Sequence, residues 1–249
     1  MNINPIPAFE DNYIWLISNN QHAVVVDPGD ASPVIAYLKQ HHLQLDAILI
    51  THHHADHIGG VNDLLSQYSC EVYAPQKEDY CFTHKAVADQ ETINLKKLDL
   101  TFKVIEVPGH TLGHVAYYGA NSLFCGDTLF GAGCGRLFEG TPLQMYESLQ
   151  KLAKLPPKTA VYCAHEYTER NLKFALSLEP NNPDLIDRIK QTQALRMTQK
   201  PSLPSNIDLE LLTNPFLRCH SAEIAEKFNL KNGELIEIFT ALRHARNQF

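Results

Sequence analysis

The chain has 249 residues, 44% of them hydrophobic and 20% charged, and a formal net charge of −7. This size and usage are typical of a globular protein with one large domain, or a main domain and an appendage, and exclude a disordered or fibrous chain. The acidic excess argues against a nucleic-acid partner, because proteins that bind phosphate backbones carry a basic surplus. No run approaches the roughly 18 apolar residues of a membrane span, and no basic segment followed by an apolar stretch opens the chain. We therefore expect a cytoplasmic protein with no membrane partner.

Cysteine usage and charge distribution refine this picture. The six cysteines are scattered, with no Cys-x-x-Cys pair, so we expect reduced thiols. Residues 170–249 hold 11 Lys and Arg against 9 Asp and Glu, which leaves 10 against 19 for residues 1–169. Chance variation between helical surfaces is the simpler explanation of this bias, and an anionic ligand bound by the C-terminal third is the alternative.

Short apolar or β-branched runs alternate with helical patterns over the first two thirds of the chain. The pattern predicts strands at residues 14–17, 23–26, 47–50, 71–73, 101–107, 115–118, 123–125 and 160–163. Helices are predicted after residue 33, after residue 60 and after Thr141, where Thr-x-x-Gln forms a capping box with proline at the first helical position. An α/β scaffold built on sheets follows from this alternation.

Beyond His165 the strand patterns stop and amphipathic helical stretches follow. We expect helices at about residues 167–178, 183–199, 222–228 and 233–245, with Asn182 and Ser221 as helix starts. The segment 200–218 contains three prolines and is predicted to be a long loop. The change of pattern predicts a catalytic domain over residues 1–165 and a helical domain over residues 166–249.

A histidine-rich run directly follows the strand predicted at residues 47–50. Because side chains at i and i+2 of an extended chain point the same way, His52 and His54 can share one metal. Asp56 and His57 come after the chain has begun to turn and can face a second metal. Nitrogen and carboxylate ligands suit Zn²⁺, Fe or Mn²⁺, and imidazole favours the first two. A structural zinc site is the alternative, but such sites are usually rich in cysteine, and this run contains none.

Three further ligand-type residues stand at turns immediately after apolar strands: His110, Asp127 and His165. Functional residues gather at the carboxyl ends of strands in α/β sheets, which is where all three fall. Each residue alone is a weak signal, since the glycines before His110 and Asp127 also mark ordinary turns. Their recurrence in the same context favours a shared metal site.

The order of these residues, from Thr51-His52-x-His54-x-Asp56-His57 through His110 and Asp127 to His165, resembles the metallo-β-lactamase superfamily. Three further stretches resemble the glyoxalase II (hydroxyacylglutathione hydrolase) family: Gly133-Cys134-Gly135-Arg136-Leu137-Phe138-Glu139-Gly140, Cys163-Ala164-His165-Glu166-Tyr167-Thr168 and Ala241-Leu242-Arg243-His244-Ala245-Arg246. The resemblance implies an αββα sandwich with a C-terminal helical domain. It also implies two divalent metal ions, with zinc expected and Fe or Mn as alternatives.

The resemblance further assigns roles to the candidate ligands. It implies one metal held by His52, His54 and His110, a second held by Asp56, His57 and His165, and Asp127 as the bridge. His53 has no ligand role in this pattern, and His114 is expected to support a ligand or pack against it. Asp56 and Asp127 are the expected catalytic carboxylates, because they would hold in place the hydroxide that two bound metals generate.

The implied substrate is a glutathione thioester. The implied reaction is hydrolysis of S-(2-hydroxyacyl)glutathione; S-D-lactoylglutathione, for example, gives D-lactate and glutathione. This reaction is the second step of methylglyoxal detoxification. We expect the protein to be a monomer. The substrate-binding positions implied are Arg136, Phe138, Tyr167, Arg243 and Arg246. The family often has tyrosine at position 138, so here only a backbone contact can persist.

Other functions use the same ligand pattern. A mononuclear-iron persulfide dioxygenase would leave part of the ligand set unused, and a nuclease is disfavoured by the net acidity. A β-lactamase would be expected to carry a periplasmic signal. A binding protein without activity would require the loss of metal ligands, and none is missing.

Overall fold

The computed structural model describes residues 1–231 and 233–249. Its residues form two compact units, each assembled from separate stretches of chain. Unit one comprises Met1–Glu106 and Leu112–Gly126, and unit two comprises Val107–Thr111 and Asp127–Phe249. No helix within the described ranges is both long and apolar enough to cross a membrane.

The first sheet of unit one has six strands in sequential order. They are β1 Asn2–Ala8, β2 Asn12–Ser18, β3 His22–Val26, β4 Gln44–Leu49, β5 Glu71–Pro75 and β6 Lys85–Val87. The pairs from β1 to β3 are antiparallel, and those from β3 to β6 are parallel. The parallel strands β3 and β4 therefore end at the same edge, which gathers the residues that follow them.

One face of this sheet packs on two helices, α1 Ala31–Gln40 and α3 Val61–Gln67. Alternate residues of the strands enter the shared apolar core, among them Ile14 and Leu16, while their neighbours Trp15 and Ile17 are buried on the opposite face. Burial on both faces explains why β2 to β4 are almost continuously apolar rather than alternating. A short helix, α2 Ala55–Ile58, precedes α3.

The second face is covered by an antiparallel set of strands in unit one. These are β7 Thr92–Leu95, β8 Leu100–Glu106, β9 Val115–Gly119 and β10 Ser122–Gly126, paired in sequential order. Tyr117 of β9 is fully buried, and its hydroxyl donates a 2.6 Å hydrogen bond to the carbonyl of Ile50. This bond ties the second set of strands to the residues that leave β4.

Unit two combines two small β pairings with most of the helices. Its strands are β11 Leu129–Phe130, β12 Gly133–Cys134, β13 Ala160–Cys163 and β14 Ser205–Asn206. Its helices are α4 Pro142–Ala153, α5 Thr168–Leu178, α6 Pro183–Met197, α7 Ile207–Thr213, α8 Ala222–Lys227 and α9 Leu235–Gln248. The predicted capping box is confirmed, since Thr141 accepts from the Gln144 amide at the start of α4. Asn182 caps α6 in the same way, whereas Ser221 precedes α8 without a capping bond from its side chain.

The eight predicted strands are confirmed, but the prediction of a long loop at residues 200–218 is wrong. That segment forms β14, α7 and a 3-10 turn at Pro215–Leu217. The prolines interrupt none of these elements, because Pro201 and Pro204 precede them and Pro215 starts the 3-10 turn, where its missing N–H costs no bond. Asn206 starts α7 by accepting a hydrogen bond from the Leu209 amide.

Candidate active site

Unit one contributes the histidine run, which lies where β4 leaves the first sheet. His52 and His57 are buried, His54 is partly exposed, and the run enters α2 at Ala55. Nε2 of His52 lies 3.1 Å from Nδ1 of His54, so the two side chains converge as their i, i+2 spacing predicts.

A buried carboxylate, Asp27, organises this run. Its Oδ1 accepts a 2.7 Å bond from the Thr51 amide, and its Oδ2 accepts from the Thr51 hydroxyl at 2.6 Å and lies 3.0 Å from Nδ1 of His57. Because a carboxylate only accepts, the His57 proton resides on Nδ1 and leaves the Nε2 lone pair for a metal. The Thr51 hydroxyl, having donated to Asp27, accepts from Nδ1 of His52 at 3.1 Å, which likewise leaves the Nε2 lone pair of His52 available to a metal.

A second supporting contact orients Asp56. The side-chain amide of Asn12, at the start of β2, donates a 3.0 Å bond to Oδ2 of Asp56. That same oxygen lies 3.4 Å from Nε2 of His57. Asn12 therefore holds the Asp56 carboxylate with its Oδ2 directed toward Nε2 of His57 in α2.

The two histidines without an expected ligand role have structural partners. His114 is buried and stacks on His52, with ring centroids 4.6 Å apart. A Cβ at Gly126 would clash with the Thr51 hydroxyl and lie 2.8 Å from Nε2 of His114, so only glycine fits there at φ +47°. Nδ1 of His53 lies 3.3 Å from Oε1 of Glu78, whose side chain is buried.

Replacing Asp27 with asparagine tests its orienting role. We expect the variant to bind zinc about 10- to 100-fold more weakly, because its amide no longer provides two acceptor oxygens for Thr51 and His57. Competition with a chromophoric chelator measures the affinity. The exposed substitution Asp63→Asn is the matched control and should leave the affinity unchanged, and equal affinities in both variants would contradict the role assigned to Asp27.

Unit two brings together the three isolated candidates. Asp127 lies between two histidines: its Oδ2 is 3.4 Å from Nε2 of His110, and its Oδ1 is 3.3 Å from Nε2 of His165. Nδ1 of His110 donates to the carbonyl of Arg136 at 2.9 Å, which directs its Nε2 lone pair toward Asp127. The two oxygens of one carboxylate thus face two different imidazoles.

The spacing between these atoms fits metal coordination. Ligand atoms about 2.0–2.1 Å from a tetrahedral zinc lie about 3.3–3.4 Å from one another. Within unit one the two measured pairs are 3.1 Å and 3.4 Å apart, and within unit two they are 3.4 Å and 3.3 Å apart. Both units therefore present nitrogen and oxygen donors at the separation that a bound divalent metal requires.

Two aromatic side chains border the candidate ligands His110 and His165 of unit two. Tyr167 stacks on His165, with centroids 4.8 Å apart and planes at 6°, and Phe138 meets the ring of His110 edge-on at 5.2 Å. Phe138 is 63% exposed, and its backbone amide donates to the His110 carbonyl. The backbone amide at position 138 thus already has an intramolecular partner, while the side chain is largely exposed.

The predicted basic residues differ in how they are held. Arg243 is buried and donates to the carbonyls of Cys134 and Gly135, at 2.8 Å and 3.3 Å. Arg246 is half-buried and donates through Nε and Nη2 to Oδ1 of Asn171. Arg136 is exposed. Arg243 therefore shapes the β12 turn that carries Arg136.

Sequence reasoning missed Asp27 and Asn12. A signal for Asp27 was present, because it follows a buried strand and precedes Pro28-Gly29, the strand-end context that singled out His110, Asp127 and His165. Asn12 lies at the beginning of β2, 44 positions from Asp56, and nothing local marks its contact.

Two family models match the chain. The metallo-beta-lactamase superfamily matches residues 8–165, and the hydroxyacylglutathione hydrolase C-terminus matches residues 166–249. Among curated relatives, the hydroxyacylglutathione hydrolase of Methylobacillus flagellatus is 57% identical over 247 residues, covering 99% of both chains. The relative of the same name in Dechloromonas aromatica is 49% identical over 266 residues and covers all of both chains.

Solved structures show the same fold. ETHE1 from Myxococcus xanthus aligns with a TM-score of 0.68 at 25% identity, covering 99% of this chain and 100% of its own. The BLEG-1 B3 metallo-beta-lactamase aligns with a TM-score of 0.64 at 26% identity, covering 87% and 98%. TTHA1623, solved in a di-iron-bound form, aligns with a TM-score of 0.57 at 26% identity over 66% of this chain and 92% of its own.

Proposed function

We propose a catalytic arrangement for this chain, which belongs to the hydroxyacylglutathione hydrolase family of the metallo-β-lactamase superfamily. It is a thioester hydrolase that acts on S-(2-hydroxyacyl)glutathione, and its superfamily implies a binuclear divalent metal site. The observation that carries the arrangement is the Asp127 carboxylate, whose two oxygens face His110 and His165 separately.

In this arrangement His52, His54 and His110 would hold one metal, and Asp56, His57 and His165 would hold the other, with Asp127 available to both. Zinc is the proposed metal, because the donors are mostly imidazole and their separations are compatible with zinc. Iron and manganese accept the same donors, so the metal content of the purified protein tests this part of the proposal.

The two metals, when bound, lower the pKa of water toward neutrality and polarise the thioester carbonyl. The contribution of the protein is orientation. Asp27 and Thr51 fix the ring nitrogens of His52 and His57 that face the site, and Asn12 fixes Asp56. Asp56 and Asp127 accept hydrogen bonds from the attacking water and keep it aimed at the carbonyl carbon.

Departure of the thiol needs little help from the protein. A thiol has a pKa of about 8.5, so glutathione leaves as a thiolate without a strong general acid. A cysteine nucleophile is disfavoured, since burial raises the pKa of Cys134, Cys163 and Cys219 and keeps these thiols neutral. Water is therefore the proposed nucleophile.

Recognition of glutathione is proposed for Arg136, Tyr167, Arg243 and Arg246, with the exposed Phe138 ring beside His110. Arg243 acts mainly by holding the backbone of residues 134–135, so its loss should disturb Arg136 as well.

Three further features of the protein are also proposals: the division into domains at residues 165 and 166, the cytoplasmic location and the monomeric state. Light scattering during size-exclusion chromatography tests the monomeric state.

Metal removal tests the function directly. Thiol release from S-D-lactoylglutathione is expected to stop after extensive chelation and to return when zinc is added, because the water nucleophile depends on the metals. Activity and metal content are measured on the same sample, and oxygen uptake with glutathione persulfide is measured beside them. Thiol release at the native rate from metal-free protein, or oxygen uptake in place of thiol release, would contradict the proposal.

A further inference from the structure

All seven arginines of the chain lie between positions 136 and 246. Three of them are paired with carboxylates: Arg188 with Glu210, Arg196 with Glu166, and Arg218 with Glu179. Within the described ranges the other four form no ion pair with an acidic side chain: Arg136, Arg170, Arg243 and Arg246. The second group therefore carries four positive charges that no nearby carboxylate neutralises.

Hydrogen bonds from α9 draw these four arginines together. Arg243 and Arg246 are three residues apart and share one face of the helix. Arg243 donates to the carbonyls of residues 134 and 135, next to Arg136, and Arg246 donates to Asn171, next to Arg170. One helix thus anchors both segments that carry the remaining two arginines.

The four guanidiniums divide into an inner and an outer pair. The inner pair, Arg243 and Arg246, is bonded to neutral oxygens. The outer pair, Arg136 and Arg170, is exposed, and neither side chain makes a hydrogen bond in the part of the chain that the structure describes. Burial, followed by the positive charges of Arg170, Arg243 and Arg136, lowers the pKa of Arg246 to about 10. Such mutual repulsion is relieved when an anion binds among the charges.

We propose that Arg170 is a further substrate-binding residue, which together with Arg136 binds one of the two carboxylates of the glutathione moiety. This inference rests on the proposed function, because that function supplies a ligand with two carboxylates. The positions implied by family resemblance do not include Arg170. Its place on α5, one turn after Tyr167, puts it beside a residue that stacks on the proposed metal ligand His165.

Truncated thioesters separate a specific contact from a general effect of positive charge. The full substrate is S-D-lactoylglutathione. The S-D-lactoyl thioester of cysteinylglycine lacks the γ-glutamyl carboxylate, and the S-D-lactoyl thioester of γ-glutamylcysteine lacks the glycine carboxylate. For Arg170→Gln we expect KM for the full substrate to rise about five- to tenfold with kcat unchanged, as for the loss of one charge-assisted hydrogen bond. The increase should vanish for one of the two truncated thioesters.

Two matched variants control for charge and for side-chain chemistry. Lys173→Gln removes one positive charge from the same helix, at a side chain that is 65% exposed and pairs with Glu169, and should leave every KM unchanged. Arg170→Lys keeps the charge but loses the planar pair of donors, and should recover part of the affinity.

An unchanged KM for Arg170→Gln, or an equal rise for all three thioesters, would overturn the inference while leaving the proposed function intact. If the unmodified protein turned over no thioester, the proposed function would fail instead. Calorimetric titration with glutathione still decides the role of Arg170 in that case: weaker binding by Arg170→Gln than by Lys173→Gln supports it, and equal binding overturns it.

Discussion

Asp127→Asn should reduce kcat/KM for thioester hydrolysis by about 10³-fold, equivalent to about 4 kcal/mol of transition-state stabilisation. The physical reason lies in the two oxygens of Asp127, which face Nε2 of His110 and Nε2 of His165 at 3.4 Å and 3.3 Å. An asparagine amide offers one oxygen and one NH₂ group, so one imidazole lone pair would face a donor instead of a shared metal. Steady-state kinetics and metal analysis on the same sample measure the effect.

The matched control for this variant is Asp187→Asn, at an exposed carboxylate paired with Lys190. It should retain full activity and metal content. Asp127→Asn is also expected to contain fewer metal ions per chain than the unmodified protein. A variant that kept both metals and more than about a tenth of the activity would show that Asp127 does not bridge them.

Arg188→Met should destabilise the protein by about 3–5 kcal/mol, because it leaves a buried carboxylate without its cation. Arg188 is 4% exposed and donates to Oε1 of Glu210 at 2.5 Å and to the hydroxyl of Thr213 at 2.6 Å. Glu210 is fully buried, and its other oxygen accepts from the Ala132 amide at 2.8 Å. Unfolding in urea, followed by circular dichroism, measures the loss.

A second substitution distinguishes an uncompensated charge from lost packing. Arg188→Met combined with Glu210→Gln should be at least about 1 kcal/mol more stable than Arg188→Met alone, since the neutral amide still accepts from Ala132. Lys190→Met on the same helix is the control, and it should change stability by less than about 0.5 kcal/mol because its ion pair is exposed. Equal stability of the single and double variants would exclude the charge as the cause.

The segment around Glu210 shows where sequence reasoning failed. Three prolines in residues 200–218 predicted a loop, yet α7 forms there, because Glu210 bonds to Arg188 on α6 and to Ala132 before β12. Both partners are distant in sequence, so the apolar period and the turn residues of the segment itself could not reveal them. The same limitation hid Asn12, whose partner Asp56 lies 44 positions away.

The sequence alone determined the scaffold and the candidate ligands of this protein. Short apolar or β-branched runs predicted the strands, and polar residues at the strand ends identified the candidate ligands His52, His54, Asp56, His57, His110, Asp127 and His165, because both signals are local. Only the tertiary structure decided how these residues are held. Hydrogen bonds with Asp27 and Asn12 fix the ring of His57 and the carboxylate of Asp56. Helix α9 connects the segments that carry four arginines, which lie up to 110 positions apart in the sequence, from 136 to 246. Such contacts depend on folding distant segments together, which no local pattern records.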